Sequence, residues 1–371
     1  MKKICIIFAI FILLSQISIS TGKENILIQK ETINENKSLP DSFSYRDING
    51  IDYTTPVKNQ APAPTCETYA LCASLETIMQ YQLQELYEPD LSECHLYFYA
   101  GGTFEAGYVN LMDAADYLVD HGVPDEGCYP DPHRAFDYPF DSLPGWENRT
   151  VKITEWGWLE IEVENMKNAL IDYGPLIICM SIYEDFYQYK SGVYRHETGK
   201  RVGGHVLAIV GYDDNESCWI VKNSWGDAWG DEGWFKLAYD ADIFCDWYGP
   251  GTGVMYIDGI YGNLKPDVPK VYIVKPRFGR SYFFGLEFKY LIRNLPIQKA
   301  VARLIGKMII DIDAENACKV EFYVDDVLEI TDYKAPYRWL LDSDSGQHTL
   351  MVKAYNEHNA SIDILDFFKY I

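Results

Sequence analysis

Apolar residues recur at helical spacing from Cys66 through Tyr69, Cys72, Leu75, Ile78 and Met79, which predicts a helix over 66–84. Thr65 stands where an N-cap belongs. A second helix is expected over 111–120, ahead of the turn residues Gly122, Val123 and Pro124. The pattern then changes: 175–182, 206–212, 218–222 and 233–237 read as strands bounded by Gly, Asp and Asn. A helix-leaning first half and a strand-rich second half predict an α+β fold of two lobes with a cleft between them.

Pro266 and Pro269 in a polar stretch mark a linker over 263–269. Beyond it, 270–275, 281–291, 302–313, 319–323, 327–331, 337–341, 348–355 and 361–368 are short β-type runs separated by turn residues. That spacing predicts an all-β sandwich over 270–371. Asp311, Asp313 and Glu315 are either a Ca²⁺-binding cluster or solvated turn residues.

At the other end, Lys2 and Lys3, the apolar run 4–14 and Ser18-Ile19-Ser20 follow signal-peptide order, so 1–20 is expected to be removed on export and the protein secreted. No apolar run is long enough for a helical membrane span. The chain carries 55 acidic against 32 basic residues, a formal charge of −23 spread along its length. This argues against nucleic acid and anionic membranes as partners. Nine cysteines become eight without Cys5, and an odd seven once Cys66 is set aside, so at least one more thiol is expected outside any intrachain bridge. Cys72, Cys179 and Cys218 read as small buried hydrophobes. Asn36, Asn148, Asn215 and Asn359 head glycosylation sequons.

The chemistry is carried by Cys66, His205 and Asn223. A thiol becomes a useful nucleophile when a base holds its proton, and the base needs a third group to orient its ring. The Gln60 side-chain amide and the Cys66 backbone N–H are candidate oxyanion donors, and Trp225 would shield the His205–Asn223 hydrogen bond from water. Alone, His205 at the head of an apolar run would be a core histidine. The following Asn223-Ser224-Trp225-Gly226 changes that reading.

Leu39-Pro40-Asp41-Ser42-Phe43, Pro56-Val57-Lys58-Asn59-Gln60, Leu91-Ser92-Glu93, Gly101-Gly102, Gly211-Tyr212 and Asn223-Ser224-Trp225-Gly226 resemble, in order, the papain-like cysteine peptidases over about 39–262. In that pattern the His and Asn lie roughly 130 to 150 residues beyond the nucleophile; His205 falls inside the window and Asn223 slightly past it. The resemblance implies a helical lobe carrying Cys66, a β lobe carrying His205 and Asn223, a peptide or protein substrate, and no metal or organic cofactor. It also implies that Gly101 and Gly102 let a substrate strand approach the backbone. The segment 21–38 is far shorter than the family's inhibitory propeptides. Parts of 320–355 resemble immunoglobulin-like modules of prokaryotic surface and secreted proteins, and such a domain would bind a surface or polymer ligand, space or stabilise.

The nucleophile loop departs from the family's Gly-x-Cys-Gly-Ser-Cys-Trp. It reads Ala61-Pro62-Ala63-Pro64-Thr65-Cys66-Glu67. Ala63 and Tyr99 stand where bridging cysteines would fall, so no papain-type disulfide framework is expected, and Pro62 and Pro64 could hold the loop instead. A helix N-terminus and His205 would lower the Cys66 pKa, whereas Glu67 beside the thiolate would raise it and displace the acidic limb of the pH profile. The expected function is a secreted cysteine endopeptidase. The alternatives are a catalytically silent binding protein on the same fold and a transpeptidase or amidase acting on cell-wall peptides.

Overall fold

The first long helix is buried almost all round, with Tyr69, Cys72, Leu75, Ile78 and Met79 all inside. The computed structural model describes residues 39–61, 63–103, 106–131, 141–245, 251, 253–288 and 301–370. The expectations for the signal peptide, the 21–38 segment, Asn36, Pro62 and residues 289–291 lie outside these. The helices are α1 (Cys66–Leu83), α2 (Glu93–Tyr99), α3 (Leu111–Asp120) and α4 (Val163–Asp172). Ser92 Oγ caps α2 by accepting the His95 N–H at 3.0 Å, and Asn110 Oδ1 caps α3 by accepting that of Met112 at 2.9 Å. Thr65 does not cap α1: its hydroxyl is buried with no partner among the described residues.

The strands before residue 263 are β1 (Ser42–Ser44), β2 (Val151–Lys152), β3 (Glu155–Trp158), β4 (Leu176–Tyr183), β5 (Val193–Tyr194), β6 (Arg201–Asp213), β7 (Cys218–Lys222), β8 (Trp234–Ala238), β9 (Val254–Asp258) and β10 (Tyr261–Gly262). They form a sheet in the order β3-β9-β4-β6-β7-β8-β5, with β1 on β6, and a small β10-β2 pair. One core gathers α4 against Ile178, Leu207, Val221 and Phe235 of the sheet. A second packs α1, α2 and α3 against Ile177, Cys179 and Val206 on the opposite face. The alternating side chains of β4 and β6 thus serve both lobes. The helical lobe and the β lobe meet along β6, the strand that carries His205.

None of the eight described cysteines is in a disulfide. Around Tyr99 an aromatic cluster fills the space: His95 stacks on it at 4.2 Å, and Trp146 and Tyr129 lie at 5.7 and 6.0 Å. Burial drives the His95 pKa down to about 3, so this ring packs as a neutral aromatic.

The C-terminal strands are β11 (Lys270–Lys275), β12 (Ser281–Phe283), β13 (Leu286–Phe288), β14 (Ala302–Ile305), β15 (Met308–Glu315), β16 (Lys319–Val324), β17 (Val327–Asp332), β18 (Arg338–Leu341), β19 (Gly346–Tyr355) and β20 (Ala360–Lys369). Two sheets, β11-β15-β18 and β13-β12-β14-β20-β19-β16-β17, enclose a core that includes Ile310, Phe322, Val352 and Phe367. Asp311, Asp313 and Glu315 lie on strand β15 and not in a turn. Asp311 pairs with Arg338 at 2.7 Å, and no metal-binding group is found among the described residues. Asn359 spends its side-chain N–H on Asp267 O at 2.7 Å, whereas Asn148 and Asn215 are exposed.

Buried Arg149 ties the two regions together. Its guanidinium pairs with Asp125, donates to Ala360 O at 2.5 Å and donates to Ser361 Oγ at 3.1 Å. A cavity of about 1170 Å³ lies beside this contact, between Lys58, Glu93 and Glu126 on one wall and Tyr272, Arg277 and Asp363 on the other. Cys66, His205 and Asn223 do not line it.

Candidate active site

Cys66 opens α1, so its backbone N–H is one of the orphan donors of a helix N-terminus. Val206 on β6 sends its N–H to the sulfur, which places the thiol against the strand that holds His205. Across that strand His205 Nε2 donates to Asn223 Oδ1 at 2.8 Å. The same oxygen accepts the Ser224 N–H at 2.8 Å, fixing the amide's orientation and with it the imidazole tautomer. Nδ1 is thereby the nitrogen left to take a proton.

Trp225 stacks on the His205 ring at 4.8 Å and 24°. Tyr187 stacks on the outer face of Trp225 at 5.3 Å and 12°, and is itself 56% exposed. The indole is therefore a slab between imidazole and solvent. Sequence reasoning assigned Trp225 this shielding place but missed Tyr187, which sits in the short helical turn after β4 with no motif to mark it.

Gln60 is tethered at both ends of its amide. Oε1 accepts the Ser224 hydroxyl at 2.6 Å and Nε2 donates to Ala63 O at 3.0 Å. The second N–H of Nε2 remains for an oxyanion. Its loop is pinned across the lobes, since Gln60 N–H donates to Ser224 O at 2.9 Å and Gly226 N–H to Lys58 O at 3.0 Å. Lys58 anchors the loop from below through Glu76 at 2.9 Å, with Asp90 and Glu93 each at 2.7 Å. Burial opposes its charge, but Asp90, Glu76, Glu93 and Glu126 together outweigh that and hold the Lys58 pKa well up.

Gly101 has a left-handed φ of +92° and is exposed. Gly102 is buried, and a Cβ there would meet Tyr97 O at 2.6 Å. Only Gly101 offers its backbone to solvent, and Gly102 is required by packing. Tyr97 in turn feels the charges of Glu67 and Cys66, so this loop borders the nucleophile's surroundings.

Two electrostatic expectations change. The Cys66 thiol is pushed well up, by burial first and then by Glu67, with the Val206 N–H pulling the other way. Burial drives His205 down to about 4 against the opposing pull of Asn223. Both shifts run against a thiolate–imidazolium pair in the resting site. Glu67 is turned inward: it is 5% exposed, and the Cys66 thiol donates to its Oε2 at 3.6 Å.

Residues 39–249 match the family described as papain family cysteine protease. A gut-specific cysteine proteinase of Caenorhabditis elegans is 49% identical over 74 residues, 19% of this chain and 22% of that relative. Testin-2 of Mus musculus is 30% identical over 215 residues, 54% of this chain and 62% of that relative. The chain thus spans about a fifth of the length of the first relative and under two thirds of the second. The digestive procathepsin L2 proteinase of the Tenebrio molitor larval midgut superposes with a TM-score of 0.50 at 28% identity, covering 61% of this chain and 70% of that one. Xylellain, a cysteine protease from Xylella fastidiosa, shares the fold at a TM-score of 0.50 and 19% identity, covering 62% and 90%. With a two-lobed fold and a family match across more than half of its 371 residues, the chain belongs to the papain family of cysteine proteases.

Proposed function

We infer that the chain is a secreted cysteine endopeptidase whose site is Cys66, His205, Asn223 and Gln60. The observation that carries this reading is the His205–Asn223 hydrogen bond, stacked under Trp225 on the strand that also supplies the Val206 N–H to the Cys66 sulfur. His205 Nδ1 takes the thiol proton, and the sulfur attacks the peptide carbonyl. Gln60 Nε2 and the Cys66 N–H receive the oxyanion. His205 then returns the proton to the leaving amine, leaving a thioester that water hydrolyses by the reverse sequence. Gly101 offers its backbone to an extended substrate strand. Among the described residues no helix is long and apolar enough to cross a membrane, which is compatible with export directed by residues 1–20. The immunoglobulin-like reading of 270–371 gives that region a role in binding a surface or polymer.

Labelling with an epoxide-type thiol inhibitor at pH about 6, followed by mass mapping, tests the assignment. Modification of Cys66 ahead of every other cysteine is expected, together with loss of peptide hydrolysis in Cys66→Ser. Equal labelling rates across the cysteines, or hydrolysis that survives Cys66→Ser, would overturn it.

A further inference from the structure

Glu67 is a buried acid pressed against the nucleophile. Its Oε2 accepts the Cys66 thiol at 3.6 Å, and among the described residues no cation pairs with it. The groups around it come from four elements. Helix α1 supplies Cys66 and the backbone N–H of Glu67 itself, and α2 supplies Tyr97. Strand β4 supplies Cys179, while β6 brings the Val206 N–H to the sulfur and carries His205 one residue before it. None of these neighbours is a second carboxylate or a fixed positive charge.

We propose that Glu67 is a positioning residue that acts as a proton-linked brake on Cys66, holding the thiol when ionised and releasing it to His205 when protonated. The proposal rests on the assignment of Cys66 and His205 given above. An ionised carboxyl can only accept hydrogen bonds, and the thiol has a single hydrogen. While that hydrogen points at Oε2 it cannot be delivered to His205 Nδ1, and a thiolate formed there would face a like charge. When Glu67 takes a proton from solvent it gains an O–H donor. The thiol proton can then pass to His205 Nδ1, and the carboxyl O–H can support the thiolate left behind. Burial raises the Glu67 pKa to about 7, so both states are populated near neutrality. The tryptophan that the family pattern places here has no group that titrates near neutrality.

The test compares kcat/KM from pH about 4.5 to about 9, on either side of the Glu67 midpoint of about 7, for the unmodified protein and Glu67→Gln. The unmodified protein is expected to lose activity as pH rises through that midpoint, by about tenfold per unit. Glu67→Gln should hold its plateau further, giving roughly tenfold higher kcat/KM one unit above the midpoint. Coincident alkaline limbs would overturn the brake. A second measurement needs no variant: the iodoacetamide rate at Cys66, mapped by mass, in the unmodified protein. It should show a shoulder on the acid side of the midpoint, a dip above it, and a rise where the thiol itself ionises. A single monotonic rise would overturn the brake even if Glu67→Gln fails to fold. If the shoulder and dip are present but no peptide is cleaved at any pH, the brake stands and the peptidase assignment falls.

Discussion

Gln60 shows how little freedom a useful donor has. Both ends of its amide are already bonded, so the remaining N–H, the proposed oxyanion donor, is held in place before the reaction begins. Gln60→Ala is therefore expected to lower kcat by about 10²–10³-fold with a much smaller change in KM, read by steady-state kinetics on a fluorogenic peptide. An equal rise in KM at constant kcat would mean that Gln60 binds substrate and transition state alike. Trp225 and Tyr187 act on a different quantity. They cover the His205–Asn223 bond on one face, and that bond fixes the tautomer that leaves Nδ1 free to accept a proton.

At the scale of elements, the loop carrying Gln60 is held by charge as much as by backbone. Glu76 and Glu93 are buried carboxylates on α1 and α2 that share Lys58, so removing the lysine leaves them uncompensated. Lys58→Met should cost about 3–5 kcal/mol in urea unfolding. Adding Glu93→Gln to it should recover part of that loss, whereas strict additivity would show that the groups are not coupled. The elements legible in the sequence were those with one dominant period. The expected helix over 66–84 and strands over 206–212 and 218–222 correspond to α1, β6 and β7, with β6 starting earlier, at Arg201. Helix α2 escaped because Glu93, Cys94, His95, Leu96 and Tyr97 are all buried, leaving no polar face to set a helical rhythm. The candidate site residues were legible as a motif set, and the structure places His205, Asn223 and Trp225 in contact. The inward turn of Glu67 was not legible, because nothing local distinguishes a solvated first-turn acid from one packed against a thiol.

For the whole molecule, pH acts through stability as well as chemistry. The Glu67 pKa is raised to about 7 in the fold from an unfolded value of about 4.3, so its contribution is complete below the unfolded value and is lost as pH rises through the folded one. The amount is about 4 kcal/mol. Glu321 runs the other way: burial opposes its charge, but Lys319, Tyr323 and Tyr355 hold it down to about 2, so its support is lost as pH falls toward that value. Calorimetry should show Tm declining from pH about 5 to about 8, and the decline should flatten in Glu67→Gln. An unchanged slope in the variant would remove Glu67 from the linkage. The contact through Arg149 has a consequence of another kind. A Cβ on Gly127 would meet Ser361 Oγ at 2.5 Å, and Arg149 divides its donors between Asp125 on one side and Ala360 and Ser361 on the other. The C-terminal region is therefore no interchangeable cassette: a chimera that swaps it between relatives has to inherit Asp125, Gly127, Arg149, Ala360 and Ser361 as one matched set.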